Sequence, residues 1–532
     1  MSVLADVARY ARFARGLRDL LRHPISLQEA QEIVRRRIAE REANFLRLAE
    51  RAIFGYPRSP YRSLLRLAGC EMADIQRMVR TTGLEATLRA LRDAGVYVTF
   101  EEFKCRVPIA RGGQTIHVAP RDFDNPLLNQ YVEASSGGTT GAQTGLLMDL
   151  TNVAARAPQI MLAYDAHGIL GVPTAIWRGI LPDSGGISSM LRGALIGHIP
   201  EKWFLTTAPQ DLRPNLKNRL LTQYIVTLGR LYGLRIPRPE PVSLDQALVV
   251  ARWAAETLAA RGACLIRCHV SMAVRVCIAA REQGLNLRGV TFMGGGEPPT
   301  PAKVREILRV GARWIPAYAF SELGQVGLGC GRPADGSDVH FLKDAVALIQ
   351  CPRQVPGWSL SVDAFYFTSL LPTAPKVLMN VENDDYGVVE TRSCGCPLET
   401  YGYTEHIRDV RSFRKLTSEG ITLVGGDMIH ILEEVLPSRF GGSPLDYQLL
   451  EEEDEQGFTR LFLVVSPKVP IADEAEVVET VMGALGTRAR AIWKQAETLR
   501  VRRMEPIWTG RGKLMPLNLA RRSERSVDAA KE

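Results

Sequence analysis

The sequence predicts an α/β protein of two units: a large N-terminal domain over residues 1–410, with a helical N-terminal region followed by mixed sheets and helices, and a small α+β domain over 411–532. Three observations predict it. Between about 130 and 330, apolar strand-like runs alternate with amphipathic helices, as in "ACLIRCHV", "SMAVRVCIAAREQG" and "LRGVTFMGGGEPPTPAKVREILRVGARWIPAYAF"; that order makes a largely parallel sheet covered by helices. A chain of 532 residues exceeds what one hydrophobic core organises. After about 411 the character changes: a helix ("GGDMIHILEEVLP"), a hairpin ("YQLLEEEDEQGFTRLFLVVSP") and a second helix ("DEAEVVETVMGALG") form a unit of common domain size.

Taken in order, residues 1–95 read mostly as helices, the clearest starting after Ser26, a helix-capping residue type. "GVYVTFEEF" reads as a strand entering a short turn. "NPLLNQYV" ends as a short strand, and after a Ser/Gly/Thr run the stretch "LLMDLTNVAARAPQIMLAYDAHG" has helical spacing through Val153, Ile160 and Tyr164. Residues 340–410 look more purely β, with turns at "DDYG" and "CGCP". The tail from Arg521 is too polar to fold alone.

Composition narrows the class. The chain is 46% hydrophobic and 23% charged, with a net charge of +8, ordinary values for a globular protein. It holds no apolar run of membrane-spanning length and no apolar leader core at its start. Nine scattered cysteines do not suggest a disulfide framework, and the expectation is a reducing, cytoplasmic setting. Arg9, Arg12, Arg15, Arg18 and Arg22 share one side of the first helix, opposite Val3, Val7, Tyr10, Leu17 and Leu21. Such a helix either rests on an anionic membrane surface or packs on its own domain with a solvated charged face. Its arginines are not interleaved with stacking aromatics, so nucleic acid is not the expected partner.

Two glycine-rich stretches carry chemistry. "EASSGGTTGAQTG", residues 133–145, has the composition of a linker or of a loop whose amides wrap a phosphate. Its tight flanks of regular structure favour the loop. "FMGGGEPPTPAKVREILRVGARWIPAYAFSELGQVG" places a Gly-rich turn after a strand, then a helix and a second strand ending at Ser321 and Glu322. Glycine lets a nucleotide approach the backbone closely, and a carboxylate at a strand end suits Mg²⁺ against phosphate oxygens. The structural alternative is a helix start capped by Glu297 and an exposed Glu322.

Together these residues resemble the acyl-adenylate-forming superfamily, and within it the group similar to phenylacetate–CoA ligase. "SSGGTTG" resembles the phosphate loop, "GGGEPPTP" the adenine-side turn, and "YAFSE" the Tyr-Gly-x-Thr-Glu element. "NVENDDYG" resembles the ribose-binding segment, "RSFRKLTSEG" the interdomain hinge, and "TGRGKLMPL" the C-terminal loop with the catalytic lysine. These segments fall in family order. "GLGCGRPADGSDVHFLKDAVALI" is similar to the phenylacetate–CoA ligase branch, where a Cys and a later His follow at like spacing.

The resemblance implies a mobile C-terminal domain and ATP-dependent activation of a small or fatty carboxylic acid, with coenzyme A or a carrier protein as acyl acceptor. It implies that Ser135, Ser136, Gly137, Gly138, Thr139, Thr140 and Gly141 hold the phosphates and that Gly295, Gly296, Glu297, Tyr318 and Ser321 lie around the nucleotide. Asp385 then accepts from the ribose hydroxyls with Arg411 beside it, Glu322 holds Mg²⁺, and Lys513 stabilises charge on the α-phosphate. The chain departs from the pattern at Gln143 and Thr144, where family loops commonly carry Lys, and at Tyr318-Ala-Phe-Ser-Glu322.

Cysteines raise a zinc question. Cys394 and Cys396 form a C-x-C, and Cys264, Cys268, His269 and Cys330 lie where a fold could join them; structural zinc wants four S/N ligands, and free buried thiols are the alternative. Relatives in the resembled branch carry a Cys/His zinc site in this part of the large domain. His198 and Trp177-Arg178 sit where the superfamily builds its acyl pocket, or are plain core residues. Three functional classes stay open at this point: an acid–thiol ligase, an adenylating enzyme with a protein or amine acceptor, and a non-catalytic nucleotide-binding or membrane-surface protein.

Overall fold

In a computed structural model, the structure describes residues 3–129, 131–135, 145–181, 183–206, 216–355, 361–412, 417–418, 421–422, 426–453, 459–485 and 499–520. Ser136 to Gly141, Gln143, Thr144 and the tail from Arg521 lie outside them, as does part of the hinge segment.

Helix α1 (Val3–Arg22) buries Phe13, Leu17 and Leu21 against α4 (Leu150–Ala166) and α5 (Gly185–Leu195). Arg12, Arg15 and Arg18 stay exposed on its outer face. Of the apolar side that suggested a membrane surface, Leu17 and Leu21 are thus covered by the chain itself, and the side chains of Val3, Val7 and Tyr10 lie outside the described ones. Helix α2 (Leu27–Ala39) starts at Ser26 through a reciprocal cap with Glu29. "GVYVTFEEF" departs from expectation: Val98 makes only an isolated bridge to Val381, and Thr99 then caps the short helix α3 (Phe100–Phe103).

The Ser/Gly/Thr run joins two strands rather than a strand and a helix. β1 (Tyr131–Ser135) pairs antiparallel with β2 (Gly145–Asp149), and α4 begins one residue later. Asp149 accepts from the Thr151 amide as the cap, so "LLMD" belongs to the strand.

The rest of the large unit hangs on one twelve-stranded sheet. In chain order its strands are β3 (Thr174–Trp177), β4 (Lys202–Thr206), β5 (Pro239–Val242), β6 (Cys264–Arg267), β7 (Val290–Gly295), β8 (Arg313–Phe320), β9 (Gly324–Gly329), β10 (Val339–Phe341), β11 (Val346–Gln354), β12 (Ser361–Ser369), β13 (Val381–Thr391) and β14 (Glu405–Ser412). Their spatial order is β11-β12-β13-β14-β10-β9-β8-β7-β6-β3-β4-β5. From β5 to β8 all pairings are parallel, and from β8 to β11 all are antiparallel. The two sequence regimes are therefore halves of one sheet. "DDYG" is no turn: it lies inside β13, where Asp384 takes a positive φ of 73° and the pairing shifts register after Tyr386. The local bulge keeps the strand going while re-aiming Asp385.

Alternation along β6 shows how the sheet is buried on both faces: Cys264 and Ile266 enter the core beneath α7 (Ala247–Arg261) and α8 (Val270–Glu282), and Leu265 enters the core beneath α4 and α5. Beyond β14, β15 (Tyr447–Glu453), β16 (Thr459–Val465), β17 (Leu499–Arg503) and β18 (Leu517–Ala520) form a second sheet in the order β17-β16-β15-β18. It has a separate core that includes Met428, Leu432, Leu463, Val477 and Val481, the expected α+β unit.

Candidate active site

The parallel half of the sheet has its carboxyl ends at one edge, the usual ligand crevice of such sheets. A cavity of about 550 Å³ opens there. Gly295, Gly296 and Glu297 from the end of β7, and Tyr318, Ser321 and Glu322 from the end of β8, line it. Asp385 and Arg411, from the facing ends of β13 and β14, and Lys513, from the C-terminal unit, complete the set. Residues spread over more than two hundred positions thus meet in one place. Ser135 ends β1, its backbone paired with Gly145, and the other phosphate-loop positions lie outside the described residues.

The three glycines have different reasons. A Cβ on Gly294 would sit 1.7 Å from the Cys268 carbonyl oxygen, and one on Gly295 would sit 1.8 Å from that of Ala317, so neighbouring backbone demands glycine at both. Gly296, at φ +92°, faces the site: a Cβ there would meet Lys513 Nζ at 3.1 Å and His269 Cε1 at 3.0 Å. Glu297 caps a neighbouring helix, accepting from the Ser271 amide (3.0 Å) and hydroxyl (2.7 Å) at the start of α8, with Lys303 behind it.

Lys513 stands on a turn in which Gly512, at φ +78°, donates to the Thr509 carbonyl (2.8 Å). This loop is docked against the large unit: Arg275 of α8 stacks on Trp508 at 4.6 Å, Leu514 enters the α7/α8 core, and Arg511 approaches Asp183 at 3.6 Å. Opposite Lys513, His269 Nδ1 donates to the Gly295 carbonyl (2.5 Å), and its Nε2 accepts from Arg178 Nη1 (2.7 Å). Burial, with Arg178 and Lys513 nearby, holds the imidazole well below its ordinary range.

On the other wall Tyr318 donates to Asp385 Oδ2 (2.7 Å), and Asn383 Nδ2 donates to the same oxygen (2.9 Å). Burial and that carboxylate hold the Tyr318 phenol far above its ordinary range, so it stays a neutral donor. Glu322, 7% exposed, accepts from Lys104 Nζ at 2.6 Å. One carboxylate at a cavity wall fits Mg²⁺ carried in on a triphosphate, since Mg²⁺ commonly uses one or two carboxylates plus phosphate oxygens.

The cysteines separate into two groups. Cys330, His340, Cys394 and His406 bring one donor atom each within 4.8 Å of one another, and Cys396 Sγ lies 3.0 Å from His340 Nε2. His340 and His406 are direct partners on β10 and β14. His406 Nδ1 bonds Asp338 (2.7 Å), leaving its Nε2 buried with no partner among the described residues, while His340 Nδ1 is held by the Tyr403 carbonyl (2.7 Å). Such outer partners orient imidazoles toward a metal. The thiol of Cys330 donates to Cys396, holding Cys396 well below and Cys330 above the ordinary thiol range. Soft S/N donors in this number fit zinc. None of them lines the cavity. Cys264 and Cys268 do not join them: both point into the α7/α8 core, where burial pushes each thiol up to about 12. His269 also belongs elsewhere, in the cavity. His340 and His406 had no local signal in the sequence beyond the spacing from Cys330 to His340 in "SDVHF".

His198 is a core residue, bonded to Thr174 (2.6 Å) and the Gly171 amide (3.0 Å). Trp177 is fully buried and donates to the Val242 carbonyl (3.2 Å), whereas Arg178 beside it lines the cavity. Lys104, Asn383, Arg192 and Arg267 also reach the cavity or its bonded wall without being singled out by any motif.

No family model matches the chain, and no curated protein is similar to it. Among solved structures, 2-hydroxyisobutyryl-CoA ligase in the postadenylation state in complex with R3-HIB-AMP matches with a TM-score of 0.55 at 14% identity, over 92% of this chain and 91% of that one. The chain has the adenylate-forming ligase fold. An anthranilate CoA ligase in complex with anthranoyl-AMP matches with a TM-score of 0.42 at 12% identity over 89% of this chain and 82% of that one. The amide bond synthetase McbA from Marinactinospora thermotolerans does so with a TM-score of 0.41 at 13% identity over 94% and 98%. In an adenylate-forming ligase fold the cavity above sits between the large sheet and the docked C-terminal loop, with Lys513 facing Gly296.

Proposed function

We propose that this protein activates a carboxylic acid with ATP, forming an acyl-adenylate and pyrophosphate, and then passes the acyl group to a thiol, coenzyme A, with release of AMP. The observation that carries the reading is the meeting of Lys513, Glu322 and the Tyr318–Asp385 pair around one cavity at the strand ends. A carboxylate attacking the α-phosphate works against like-charge repulsion, so aligned cations and donors lower that barrier most. Lys513 faces the turn that borders the nucleotide and stabilises charge developing on the α-phosphate. Asp385 and Tyr318 accept from and donate to the ribose hydroxyls, and Arg411 flanks them. Glu322 would hold Mg²⁺, which when bound neutralises the triphosphate oxygens. The C-terminal unit, with its own core, swings on the hinge near Arg411 between the two half-reactions, as such lids do.

The Cys330, His340, Cys394 and His406 cluster, with Cys396 beside it, would hold a structural zinc, in keeping with the resemblance to the phenylacetate–CoA ligase group. Nine free cysteines support a reducing compartment.

Pyrophosphate release measured with a panel of carboxylic acids tests the reading. Acid-dependent release is expected, and mass spectrometry of the product then identifies coenzyme A, a carrier protein or an amine as acceptor. ATP binding without pyrophosphate release from any acid would leave a non-catalytic nucleotide-binding protein instead.

A further inference from the structure

The cavity's guanidiniums are not equally satisfied. Arg178 is engaged by His269, and Arg511 by Asp183. Fully buried Arg156, just behind the wall, donates to the carbonyls of Leu323 (2.7 Å) and Gln325 (3.1 Å). Arg192 and Arg267 line the same cavity, yet neither makes a hydrogen bond or ion pair with any described residue, and Arg192 Nε is buried without a partner. Both side chains are half-buried; holding two like charges side by side away from bulk water without an anion is costly, and a chain keeps them together only for a compensating gain.

Their positions are set firmly. Arg267 is the last residue of β6, directly opposite Ile176 on β3 and Met293 on β7. Leu265, Ile176 and Met293 all enter the α4/α5 core, so Arg267 leaves the sheet on the α5 side. Arg192 reaches the cavity from α5, one turn beyond Ser188 and Ser189, which also line it. Helix α5 cannot drift: a Cβ on Gly186 would meet Trp203 at 2.5 Å, and one on Gly193 would meet the His198 carbonyl at 2.7 Å. Burial, followed by the neighbouring cations Arg267, Arg156 and Arg178, lowers Arg192 to about 9. Lys513 and His269 both face Gly296, and Arg178 lies against His269. The two unpartnered guanidiniums border the same cavity from its α5 side.

We propose that Arg192 and Arg267 form an anion subsite on the α5 side of the acid pocket, so that the substrate is an acid carrying a second oxyanion, a dicarboxylate in its simplest form. The inference rests on the adenylation reading for which carboxyl reacts, and on the cavity alone for the subsite. Paired guanidiniums match a carboxylate's two oxygens with parallel hydrogen bonds, and the second charge orients the first carboxyl toward Lys513.

Matched acids test it: succinate, glutarate, adipate and isophthalate against butyrate, valerate, hexanoate and benzoate, with 3-phosphonopropionate to separate a carboxylate from another oxyanion. In wild type at least one dianion should exceed its monoacid partner about a hundredfold or more in kcat/KM for pyrophosphate release. In Arg192→Gln and Arg267→Gln that ratio should collapse toward one. Calorimetric binding of the same acids is the second readout, and thermal melting the third. Removing one of two uncompensated like charges should leave the free protein's Tm equal or higher, whereas a structural arginine would lower it. Monoacids that equal or beat every dianion in both rate and binding overturn the proposal, as does a lowered Tm with an unchanged ratio. Should dianions bind in an Arg192-dependent way while no acid releases pyrophosphate, the subsite stands and the adenylation reading falls.

Discussion

Lys104 donates to Glu322 across 2.6 Å, tying the end of the short helix α3 to the carboxylate at the end of β8. The phosphate-loop positions where related loops commonly carry a lysine hold Gln143 and Thr144. Lys104, half-buried in the same cavity, brings an ammonium to the side where Glu322 would hold Mg²⁺ and the triphosphate. Lys104→Met should raise KM for ATP about tenfold or more, the cost of one charge-assisted contact, and lower the melting temperature, since it leaves the buried Glu322 carboxylate without its cation. Pyrophosphate release at varied ATP measures it; an unaltered KM would remove Lys104 from the phosphate site.

The proposed mechanism gives Lys513 a role in one half-reaction only. Its Nζ faces Gly296, and a positive charge there helps while the pentavalent transition state forms and little afterwards. Lys513→Ala should slow acyl-adenylate formation about a hundredfold or more, while transfer from supplied acyl-AMP stays within a few-fold. Equal loss in both half-reactions contradicts the assignment. Gly296→Ala, which drives a methyl group into the Lys513 ammonium at a positive φ, should reproduce the adenylation defect.

Zinc content is predicted at about one per chain, as one closed S/N site requires. Cys330→Ser and His406→Ala should each lose most of it and lower Tm by several degrees, because metal binding is folding energy. Cys264→Ser and Cys268→Ser should retain it. Elemental analysis of protein purified without added metal decides, and retention of zinc in both ligand variants would disprove the site.

Acid should destabilise the fold through His269. Its imidazole is held well below the ordinary value of 6.5, so between that depressed value and 6.5 the unfolded chain binds a proton that the folded chain does not. The stability it contributes is complete above about 6.5 and is lost as pH falls below it. Melting curves between about pH 7.5 and pH 5.5 should show a smaller loss for His269→Asn than for wild type; identical slopes would rule His269 out.

Local chemistry was legible where the deciding contacts are close in sequence. Ser26 and Glu29 cap the same helix within one turn, and the alternation of strands and helices from β6 to β8 reads directly from apolar periodicity. The same holds for Lys513 on its glycine turn. Local reading failed where pairing overrode it: "LLMD" follows a glycine run into a hairpin strand, and "DDYG" is carried through β13 as a bulge because both neighbouring strands continue.

By itself the sequence determined the element order, the two-unit division as an expectation, and the residue types that a nucleotide-activating site needs. Tertiary structure alone decided which of those types meet. Cys330 joins His406 rather than Cys264 because β9, β10 and β14 are neighbours, while Cys264 alternates onto the opposite face of β6. Gly294 and Gly295 owe their identity to carbonyls of other segments, and Arg192 and Arg267 share one cavity because α5 and the end of β6 both border it. The physical reason is common to all three. Propensity, capping and periodicity act over a few residues, whereas strand neighbours and buried faces are chosen by the burial of apolar surface across the whole chain.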